Sequence, residues 1–537
     1  MAHNGVQEKN PTTAAGSKFT EPKLTYRSRT WVPILKWTLI LASLALIVLA
    51  AVRLMGMGWW VGLVIVGALG SAILVVYGRR NGVAMKFVLP GLVLMLAFQV
   101  WPVMYTAATA FTNQGNGHML SKEQAIASIV NTSVQEVPGA PRYAMSVAVV
   151  EGDSLETGDL VLLLTDPADG QVYAGTEDGL EKLDKSELKQ NDKGAVTTAP
   201  GFTLLNAKQI NQRTDLKDVV VPAETGAIRP QGLSQAFEGV YTMEYDAATD
   251  VLTDTRSGTR YVAEEGSFVP ESGEGAPLPT GWQINVGFSN FTKVFTDPVI
   301  RSGFIGIFLW NVAFSAIGVI STFMLGMLLA ILFNSEQMRG KRIYRSILIL
   351  PYAIPGFVTA LVWKNMFNPD YGLINNMTGL DLNWYGDPVL AKVMILVANL
   401  WLGFPYMFIV CTGALQSIPR DIYEAAEVDR VGPFAQLTHI TMPLLLVSVG
   451  PLLIASFSFN FNNFGLIYLM TEGGPFSATN TDIGATDLLI TYAYRMAFSG
   501  ANPNYGMAAA VSILIFLLVM GMSLIGFNKS AALEDVN

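Results

Sequence analysis

Eight long apolar stretches restrict this 537-residue sequence to folds that can cross a lipid bilayer. A transmembrane helix needs about 20 mainly apolar residues to span the hydrocarbon core. The qualifying stretches are residues 31–53, 58–77, 87–111, 304–334, 346–363, 393–416, 442–470 and 505–527. Only 14% of the residues are charged, against roughly a quarter in soluble domains. The sequence therefore predicts a polytopic α-helical membrane protein with eight transmembrane helices.

The lysines and arginines of the short loops predict the orientation of the spans, because cytoplasmic loops carry an excess of them. They are concentrated before the first span and after the second and fourth, at Lys9, Lys18, Lys23, Arg27, Arg29, Arg79, Arg80, Lys86, Arg339, Lys341, Arg342 and Arg345. The loop 471–503 has only Arg495. Both ends, residues 1–30 and 528–537, are therefore expected in the cytoplasm. The first span is too long for a cleaved signal peptide.

The segment between the third and fourth spans differs in composition from the rest of the chain. Residues 113–300 contain 27 acidic and 13 basic side chains, whereas the remainder contains 15 acidic and 21 basic ones. We predict that residues 112–300 form a periplasmic insert domain between spans 31–111 and a membrane core 301–527, since this length suffices for an independent core. Its acidity is typical of a solvated surface; a docking platform for a soluble partner is the alternative.

The residue pattern of the insert predicts an α+β fold. Residues 121–131 have helical periodicity, with Ser121 as the candidate N-cap. Strands are predicted at 143–150, 160–164, 171–174, 239–245 and 251–261, the last two joined by a turn at 246–250. Gly, Pro and Glu are concentrated in residues 264–280, which we predict to be an exit linker.

The sequence has no signature of an enzyme or a metalloprotein. Cys411 is the single cysteine, and His3, His118 and His439 are far apart in sequence. The pattern of a phosphate-binding loop, GxxxxGK[ST], is missing from the sequence. We therefore predict a non-enzymatic chain with no cofactor or metal of its own, in which a partner binds any ATP and Mg²⁺.

The apolar cores of spans four to eight contain no Asp, Glu, Lys, Arg or His. Transporters coupled to protons or ions usually bury at least one ionisable group, because the ion must be held by charge. The sequence therefore argues against an ion-coupled secondary transporter. It also indicates that a solute passing between these helices is uncharged.

Polar and aromatic side chains recur on one helical face of two spans. The sets are Asn399, Gly403 and Tyr406 in the sixth span, and Ser456, Phe459, Asn460 and Asn463 in the seventh. Amides exchange hydrogen bonds with sugar hydroxyls, and aromatic rings stack on the apolar face of a pyranose. The two faces therefore predict a sugar-binding site. For each Asn, a hydrogen bond that only joins two helices is the alternative.

Two prolines, Pro351 and Pro355, flank Tyr352 in the fifth span. Proline frees backbone carbonyls and bends a helix, which membrane proteins tolerate where the helix lines a cavity. The prolines fit a cavity-lining helix and a simple packing kink equally well.

Residues 417–443, between the sixth and seventh spans, carry the most specific pattern. A helix is predicted from about Arg420 to Arg430, followed by a turn at 431–432 and by Pro433 at the first position of a second helix. Glu424, Ala425 and Ala426 are followed by Asp429, then by Ile440 and Pro443 at sixteen and nineteen residues after Glu424. An amphipathic surface loop is the alternative, but it does not account for this spacing.

This segment resembles the EAA loop of ABC importer permeases. In that family the loop is a coupling helix in a cleft of the ATPase subunit, where the glutamate pairs with a basic side chain and two alanines permit close approach. The resemblance implies this role for Glu424, Ala425, Ala426, Asp429, Gly432, Ile440 and Pro443. Arg430 stands where the family usually has Gly, and Met442 where it usually has Leu. Gly432 is the candidate to serve in the turn instead.

Other segments extend the resemblance over nearly the whole chain, apart from residues 1–30 and much of the insert. Residues 286–291, 457–464 and 471–475 look like sugar-permease signatures. With eight spans and a large insert after the third, the chain resembles the larger permease subunit of maltose/maltodextrin importers. The resemblance implies the type I ABC importer permease fold. It also implies that the sugar site is lined by Tyr352, Asn399, Leu402, Gly403, Tyr406, Ser456, Phe459, Asn460 and Asn463.

The same resemblance implies a set of partners in the bacterial inner membrane. They are a second permease subunit (MalG-like), an ATPase dimer (MalK-like), a periplasmic maltose-binding protein held by the insert, maltose or a maltodextrin, and the lipid bilayer, but no nucleic acid. The implied activity is sugar import by alternating access, driven by the partner's ATP cycle. One alternative is a permease of this architecture for another neutral oligosaccharide or a glycerol-based solute. A membrane sensor is another, but a sensor would not need the EAA spacing.

Overall fold

The structure is a computed structural model that describes residues 31–56, 58–79, 83–140, 142–213, 215–223, 226–334, 339–478, 480–499 and 503–534. The chain forms two compact units that divide between Met104 and Tyr105. The predicted N-terminal segment 1–30 lies outside the described residues with its five basic side chains, and so do Arg80 and residues 535–537 of the predicted tail.

The first unit contains the first two predicted spans and most of the third. Its helices are α1 (Trp31–Gly56), α2 (Trp60–Gly78), α3 (Val83–Met95) and α4 (Trp101–Thr109), with a π-helical turn at Leu96–Val100; α4 ends in the second unit. Gly70 lets α2 approach α1, because a methyl group at this position would lie 3.4 Å from Ile47 Cγ2. Apolar side chains such as Leu46 and Val64 are more than two-thirds exposed, as a helix surrounded by lipid requires.

The insert after α4 is α+β, as predicted. Ser121 caps its first helix: Ser121 Oγ accepts a hydrogen bond from Gln124 N, and Gln124 Oε1 accepts one from Ser121 N. The helices are α5 (Lys122–Thr132) and α6 (Ala207–Gln212). The strands are β1 (Gln135–Glu136), β2 (Arg142–Val150), β3 (Val161–Thr165), β4 (Val172–Thr176), β5 (Gly179–Lys182), β6 (Lys189–Gln190), β7 (Val196–Thr198), β8 (Phe202–Leu204), β9 (Val221–Ala223), β10 (Gly226–Gln231), β11 (Gln235–Val240), β12 (Met243–Asp246), β13 (Val251–Asp254), β14 (Arg260–Glu264) and β15 (Ser267–Pro270).

Antiparallel sheets organise the insert. The larger one has nine strands in the order β5-β4-β3-β2-β11-β10-β9, with β1 added beside β11 and β8 beside β2. Its interior strand β3 is buried at every position, and apolar groups cover both faces of the sheet there. A second sheet, β12-β13-β14-β15, packs with α5 around Phe268 and Trp282, and β6 pairs only with β7.

Three sequence predictions for the insert are wrong. Residues 239–245 are not one strand, because Ser133 Oγ accepts hydrogen bonds from Thr242 N and Met243 N and the chain passes there from one sheet to the other. Residues 251–261 form two strands with a turn, since Asp254 accepts hydrogen bonds from Arg256 N and Ser257 Oγ. The predicted linker 264–280 contains β15, whose Phe268 is fully buried.

The membrane core follows the insert. Its helices are α7 (Ser289–Thr296), α8 (Pro298–Asn334), α9 (Lys341–Ala353), α10 (Gly356–Met366), α11 (Leu373–Thr378), α12 (Pro388–Ser417), α13 (Arg420–Val428), α14 (Pro433–Gln436), α15 (Met442–Phe461), α16 (Phe464–Thr471), α17 (Leu489–Phe498) and α18 (Tyr505–Glu534), with a π-helical turn at Leu437–Thr441 and a hairpin of β16 (Phe476–Ser477) and β17 (Asn480–Gly484). The predicted tail therefore begins inside α18. In the 286–291 signature, the buried Asn290 donates hydrogen bonds to Ala110 O and Thr112 O and joins the two ends of the insert.

Seven helical segments in the described part of the chain are long and apolar enough to cross a membrane. They are Pro33–Gly56, Trp60–Gly78, Val83–Thr109, Ile300–Asn334, Pro388–Ser417, Pro433–Thr471 and Tyr505–Asn528. The predicted fifth span corresponds to α9 and α10, which are bent by 90° relative to each other at Ile354 and Pro355; this pair is the eighth span if it forms one crossing. Pro355 has no N–H to continue the ladder of α9, which explains the position of the break.

Candidate functional site

A cavity of about 660 Å³ lies among α8, α9, α10, α12, α15 and α16. All nine residues predicted for the sugar site line it, although they come from three different helices and the α15–α16 junction. The sequence analysis did not select the remaining lining residues, which are Thr322, Pro351, Ile354, Gly356, Phe357, Ala360, Met407, Ala455, Gly465, Leu466 and Leu469. For the residues near the α9–α10 bend, the sequence gives one indication, the prolines Pro351 and Pro355.

The asparagine amides beside the cavity are only partly paired. Asn399 and Asn460 are 6% and 9% exposed. Asn463 Nδ2 donates to Asn399 Oδ1 at 3.4 Å, and Asn460 Nδ2 donates to Ser456 O at 2.9 Å. Within the described part of the chain, Asn399 Nδ2 and Asn460 Oδ1 have no hydrogen-bond partner. A donor and an acceptor therefore remain available to a polar ligand.

Another buried amide, that of Asn311, shows what a purely structural asparagine looks like in this core. Asn311 Nδ2 donates to Phe461 O at 3.0 Å, and Asn311 Oδ1 accepts from Leu489 N at 2.9 Å. The side chain is completely buried and joins α8 to the end of α15 and the start of α17. The helix-joining interpretation thus applies to Asn311 more fully than to the cavity asparagines.

Glycines set the spacing between α8 and α12 at the cavity wall. A methyl group at Gly403 would lie 2.7 Å from Thr322 Cγ2, and one at Gly318 would lie 2.6 Å from Asn399 Nδ2. Gly403 was predicted as a sugar-site residue; it lines the cavity, but its lack of a side chain is required for helix packing. Gly318 makes room for the Asn399 amide and was not recognised from the sequence.

Three aromatic rings on the cavity wall are largely uncovered by the rest of the chain. Phe459, Phe357 and Tyr352 are 74%, 62% and 59% exposed, whereas Tyr406 is half-buried. Rings with free faces can stack on the apolar face of a sugar. No lining residue is Asp, Glu, Lys, Arg or His, so the cavity offers hydrogen bonds and stacking but no formal charge.

The seventh predicted span is interrupted beside the cavity. Helix α15 ends at Phe461, and Asn463 is the N-cap of α16, where Asn463 Oδ1 accepts from Leu466 N at 3.3 Å. The predicted continuous helical face is therefore wrong at Asn463, which reaches the cavity because it caps the next helix. Asn462 lies outside the cavity lining, and its Nδ2 donates to Ser458 O at 3.2 Å.

The predicted coupling segment is a helix, a turn and a second helix. Helix α13 ends at Val428, two residues earlier than predicted, and Pro433 occupies the first turn of α14 as expected. The left-handed residue of the turn is Arg430, with φ of 57°, whereas Gly432 is extended, with φ of −66° and ψ of 155°. The expectation that Gly432 replaces the missing glycine is therefore wrong.

The coupling-segment residues divide into exposed and packed groups. Glu424, Ala425, Asp429, Gly432 and Pro443 are exposed. Ala426 is 5% exposed and packs within this chain, so only Ala425 of the alanine pair is open to a partner. Ile440 is half-buried in the π-helical turn, and Tyr423 OH lies 3.0 Å from Thr441 Oγ1, which joins α13 to the start of the next span.

Comparisons with known proteins identify the family of this chain. Residues 93–178 match the family described as the N-terminal part of the transmembrane subunit in PBP-dependent ABC transporters, and residues 322–529 match the binding-protein-dependent transport system inner membrane component. The maltose/maltodextrin transport system permease protein MalF of Salmonella typhimurium is 38% identical over 92% of this chain and 96% of its own length. The chain belongs to the MalF family of permeases. The MalF protein of Escherichia coli K12 is 37% identical, with the same coverage.

Membership in the MalF family confirms several predictions. The chain is a multi-pass permease subunit of an ABC importer, and a transport component rather than an enzyme. Among solved structures, the chain is similar to a bacterial ABC transporter that imports the polysaccharide alginate; the identity is 24%, the alignment covers 46% of this chain and 84% of that one, and the TM-score is 0.40.

Proposed function

We propose that this chain carries maltose or a maltodextrin across the inner membrane from the periplasm to the cytoplasm, and that the cavity binds the sugar during passage. The observation that supports this most strongly is the convergence of partly paired amides and open aromatic rings on a charge-free cavity. Its volume of about 660 Å³ lies within the roughly 300–1,000 Å³ typical of small-molecule sites, with room for a short oligosaccharide. The names of the relatives support the choice of sugar.

The proposed mechanism is alternating access in a complex with a MalG-like permease subunit, a MalK-like ATPase dimer that binds ATP and Mg²⁺, and a periplasmic maltose-binding protein held by the insert. The exposed face of α13, around Glu424, is the proposed contact with the ATPase. The breaks between α9 and α10 and between α15 and α16 border the cavity. They are the proposed pivots, because neither break has a continuous backbone ladder.

The test removes the two cavity-lining amides of the seventh span, those of Asn460 and Asn463, in the reconstituted importer. Asn460→Ala combined with Asn463→Ser keeps a hydroxyl that can cap α16 but removes the side-chain donor to Asn399. We expect sugar uptake to fall by about tenfold or more, since a hydrogen bond to a buried polar group contributes about 1 kcal/mol. The matched control is Asn462→Ala, outside the cavity lining. Wild-type uptake by an assembled double variant would contradict the assignment.

A second candidate cargo is another neutral oligosaccharide or a glycerol-based solute, because a cavity without charge does not select among uncharged polyols. Uptake of a panel of radiolabelled sugars by vesicles containing the importer distinguishes the two. We expect α-1,4-linked glucosides to be taken up fastest. Preference for a different solute would retain the permease assignment and replace the cargo.

A further inference from the structure

A buried ion pair lies beside the C-terminal end of α16, outside the cavity lining: Asp487 precedes α17, and Arg495 lies on α17. Asp487 is the only Asp, Glu, Lys or Arg in the described part of the chain that is buried as a whole residue. The Arg495 guanidinium donates through Nη1 to Asp487 Oδ2 at 2.5 Å and through Nη2 to Asp487 Oδ1 at 2.9 Å. A buried pair of this kind is weak evidence for stability, so the geometry that it fixes is the more informative property.

The two oxygens of the Asp487 carboxylate already accept hydrogen bonds from four donors of this chain. Besides the two bonds from Arg495, Oδ1 accepts from Thr491 Oγ1 at 2.8 Å, and Oδ2 accepts from Gly484 N at 2.7 Å. Each oxygen therefore already has two donors. These contacts favour a positioning role over a binding site.

The arginine holds the C-terminal end of α16. Arg495 Nη2 donates to Glu472 O at 2.7 Å, and Glu472 is the left-handed C-cap of that helix. Gly473 follows with φ of 91°, and a methyl group there would lie 2.0 Å from Asp487 Oδ1. The first glycine of the Gly-Gly-Pro signature is therefore needed for close approach to the ion pair. Thr471 Oγ1 lies 2.8 Å from Thr486 Oγ1 and adds a second attachment at the same end.

Residues from the N-cap of α16 as far as Leu469 line the cavity. Asn463 caps the helix and contacts Asn399, while Gly465, Leu466 and Leu469 line the cavity. Helix α16 has eight residues, about 12 Å at 1.5 Å per residue, and the break after Phe461 separates it from α15. Because α16 is short and separate from α15, a displacement of its C-terminal end also moves the residues of α16 that line the cavity.

We propose that the Asp487–Arg495 pair positions α16 and so sets the width of the cavity, which makes it a determinant of the size of solute that is accepted. This inference rests on the proposed sugar transport. The pair touches no cavity-lining position; it acts through the backbone of Glu472 and Gly473.

The experiment measures size selectivity in vesicles that contain the complete importer. Two differently labelled maltodextrins that differ by one glucose unit are supplied together, and the ratio of their uptake rates is recorded. This ratio does not depend on how many transporters fold or assemble. We expect Arg495→Lys, which loses the bidentate geometry, to change it by about threefold or more. Thr491→Val, which removes one donor to Asp487, should change the ratio less but in the same direction.

The matched control is Arg213→Lys in the insert, where Arg213 also pairs with an aspartate, Asp215, and donates to the backbone carbonyls of Leu155 and Gly158. We expect no change of ratio there. An unchanged ratio in Arg495→Lys, with or without slower uptake, would overturn the proposal. Failure of both Arg495→Lys and Thr491→Val to assemble would also overturn it, since the ion pair would then serve folding alone. If the wild-type importer takes up neither sugar, the proposed function fails instead.

Discussion

Hydrogen-bond satisfaction separates the polar residues of the membrane core into two kinds. Asn311 is paired through both its donor and its acceptor, so its contribution is to hold three helices together. Asn399 and Asn460 each keep an amide atom without a partner among the described residues, beside a cavity. These two atoms are accessible from the cavity, whereas the sealed unpaired side-chain atoms of the described residues are Arg229 Nε and Arg345 Nε. Asn399 and Asn460 therefore carry the strongest residue-level indication of a ligand.

Arg430 provides a test of backbone strain in the coupling segment. A non-glycine residue in the left-handed region is strained by roughly 1–2 kcal/mol, part of which is offset by the freedom of glycine in the unfolded chain. Arg430→Gly should therefore stabilise the turn by about 0.5–1 kcal/mol and slow hydrogen exchange of the amides around it by a few fold. Gly432→Ala is the control, because Gly432 is extended and a methyl group there meets nothing within 4 Å. Faster exchange in Arg430→Gly would contradict the strain.

These residue-level roles were only partly readable from the sequence. Periodicity selected Asn399 and Asn460, because both lie on regular helices. It missed Asn311, whose partners are backbone groups 150 and 178 residues away in sequence. The expectation that Gly432 serves in the turn rests on residue type alone. The conformation instead depends on where α13 ends, which is set by the hydrogen bonds from Val431 N to Ala426 O and from Arg430 N to Glu427 O.

At the scale of secondary-structure elements, interruptions are as important as helices for building the cavity. The bend between α9 and α10 adds Ile354, Gly356 and Phe357 to the lining, and the break before α16 adds Asn463 and Gly465. Apolar length predicts a span but not an interruption inside it. The break at Asn462 depends on a side-chain cap, and in the insert the chain changes sheets where the Ser133 hydroxyl binds two backbone amides.

Packing of α8 against α12 gives a prediction at this scale. Gly403→Ala would place a methyl group 2.7 Å from Thr322 Cγ2 and push the helices apart, with an overpacking penalty of about 1–3 kcal/mol. We expect a lower melting temperature of the purified chain and slower uptake. Gly413→Ala on the same helix meets nothing within 4 Å and should leave both unchanged or slightly increase stability. Equal effects of the two substitutions would argue against close packing at Gly403.

The attachment of α5 to the second sheet gives a pH-dependent prediction. The hydrogen bond from Lys122 Nζ, followed by that from Tyr245 OH, holds the pKa of Asp250 below its usual value. A lowered carboxyl pKa in the folded state stabilises the fold above the unfolded pKa of about 3.9, and this contribution is lost as the pH falls below it. Asp250→Asn should therefore destabilise the insert by at most about 1 kcal/mol at pH 7, because the pair is partly exposed.

Urea midpoints of the purified chain, followed by near-ultraviolet circular dichroism at pH 7 and pH 3, measure this difference. It should be largest at pH 7, shrink in high salt and be smaller at pH 3 than at pH 7. Glu274→Gln, at an exposed position of the same domain, should show no such trend. A difference that grows on acidification would contradict the lowered pKa.

At the scale of the whole molecule, the sequence predicted the class of protein more completely than the site. The spans follow from apolar length and the insert from its charge, and both need only composition along the chain. The coupling segment indicates the family. The MalF relatives agree with it, and the alignment with this chain covers almost the entire length of each. Predicting the cavity would have required the relative placement of helices that are distant in sequence. Thr322 on α8 and Tyr352 on α9 both line it, although no pattern in the sequence connects them.

Coupling between subunits gives the prediction at this scale. Glu424→Arg reverses the charge of an exposed side chain on α13. If Glu424 pairs with a basic group of the ATPase, losing this contact should raise the ATP hydrolysed per sugar transported by about tenfold or more, as expected for a broken interfacial charge pair. Glu427→Arg, exposed on the same helix but outside the predicted coupling set, is the control. Unchanged stoichiometry in Glu424→Arg would mean that the contact lies elsewhere.

The absence of formal charge from the cavity lining has an electrical consequence. Moving one elementary charge through a membrane potential of 100 mV changes the free energy by about 2.3 kcal/mol. A neutral solute held by amides and aromatic rings feels no such force. Voltage imposed across the vesicle membrane should therefore neither speed nor slow the passage step, so import can proceed equally well in energised and depolarised cells as long as nucleotide is supplied.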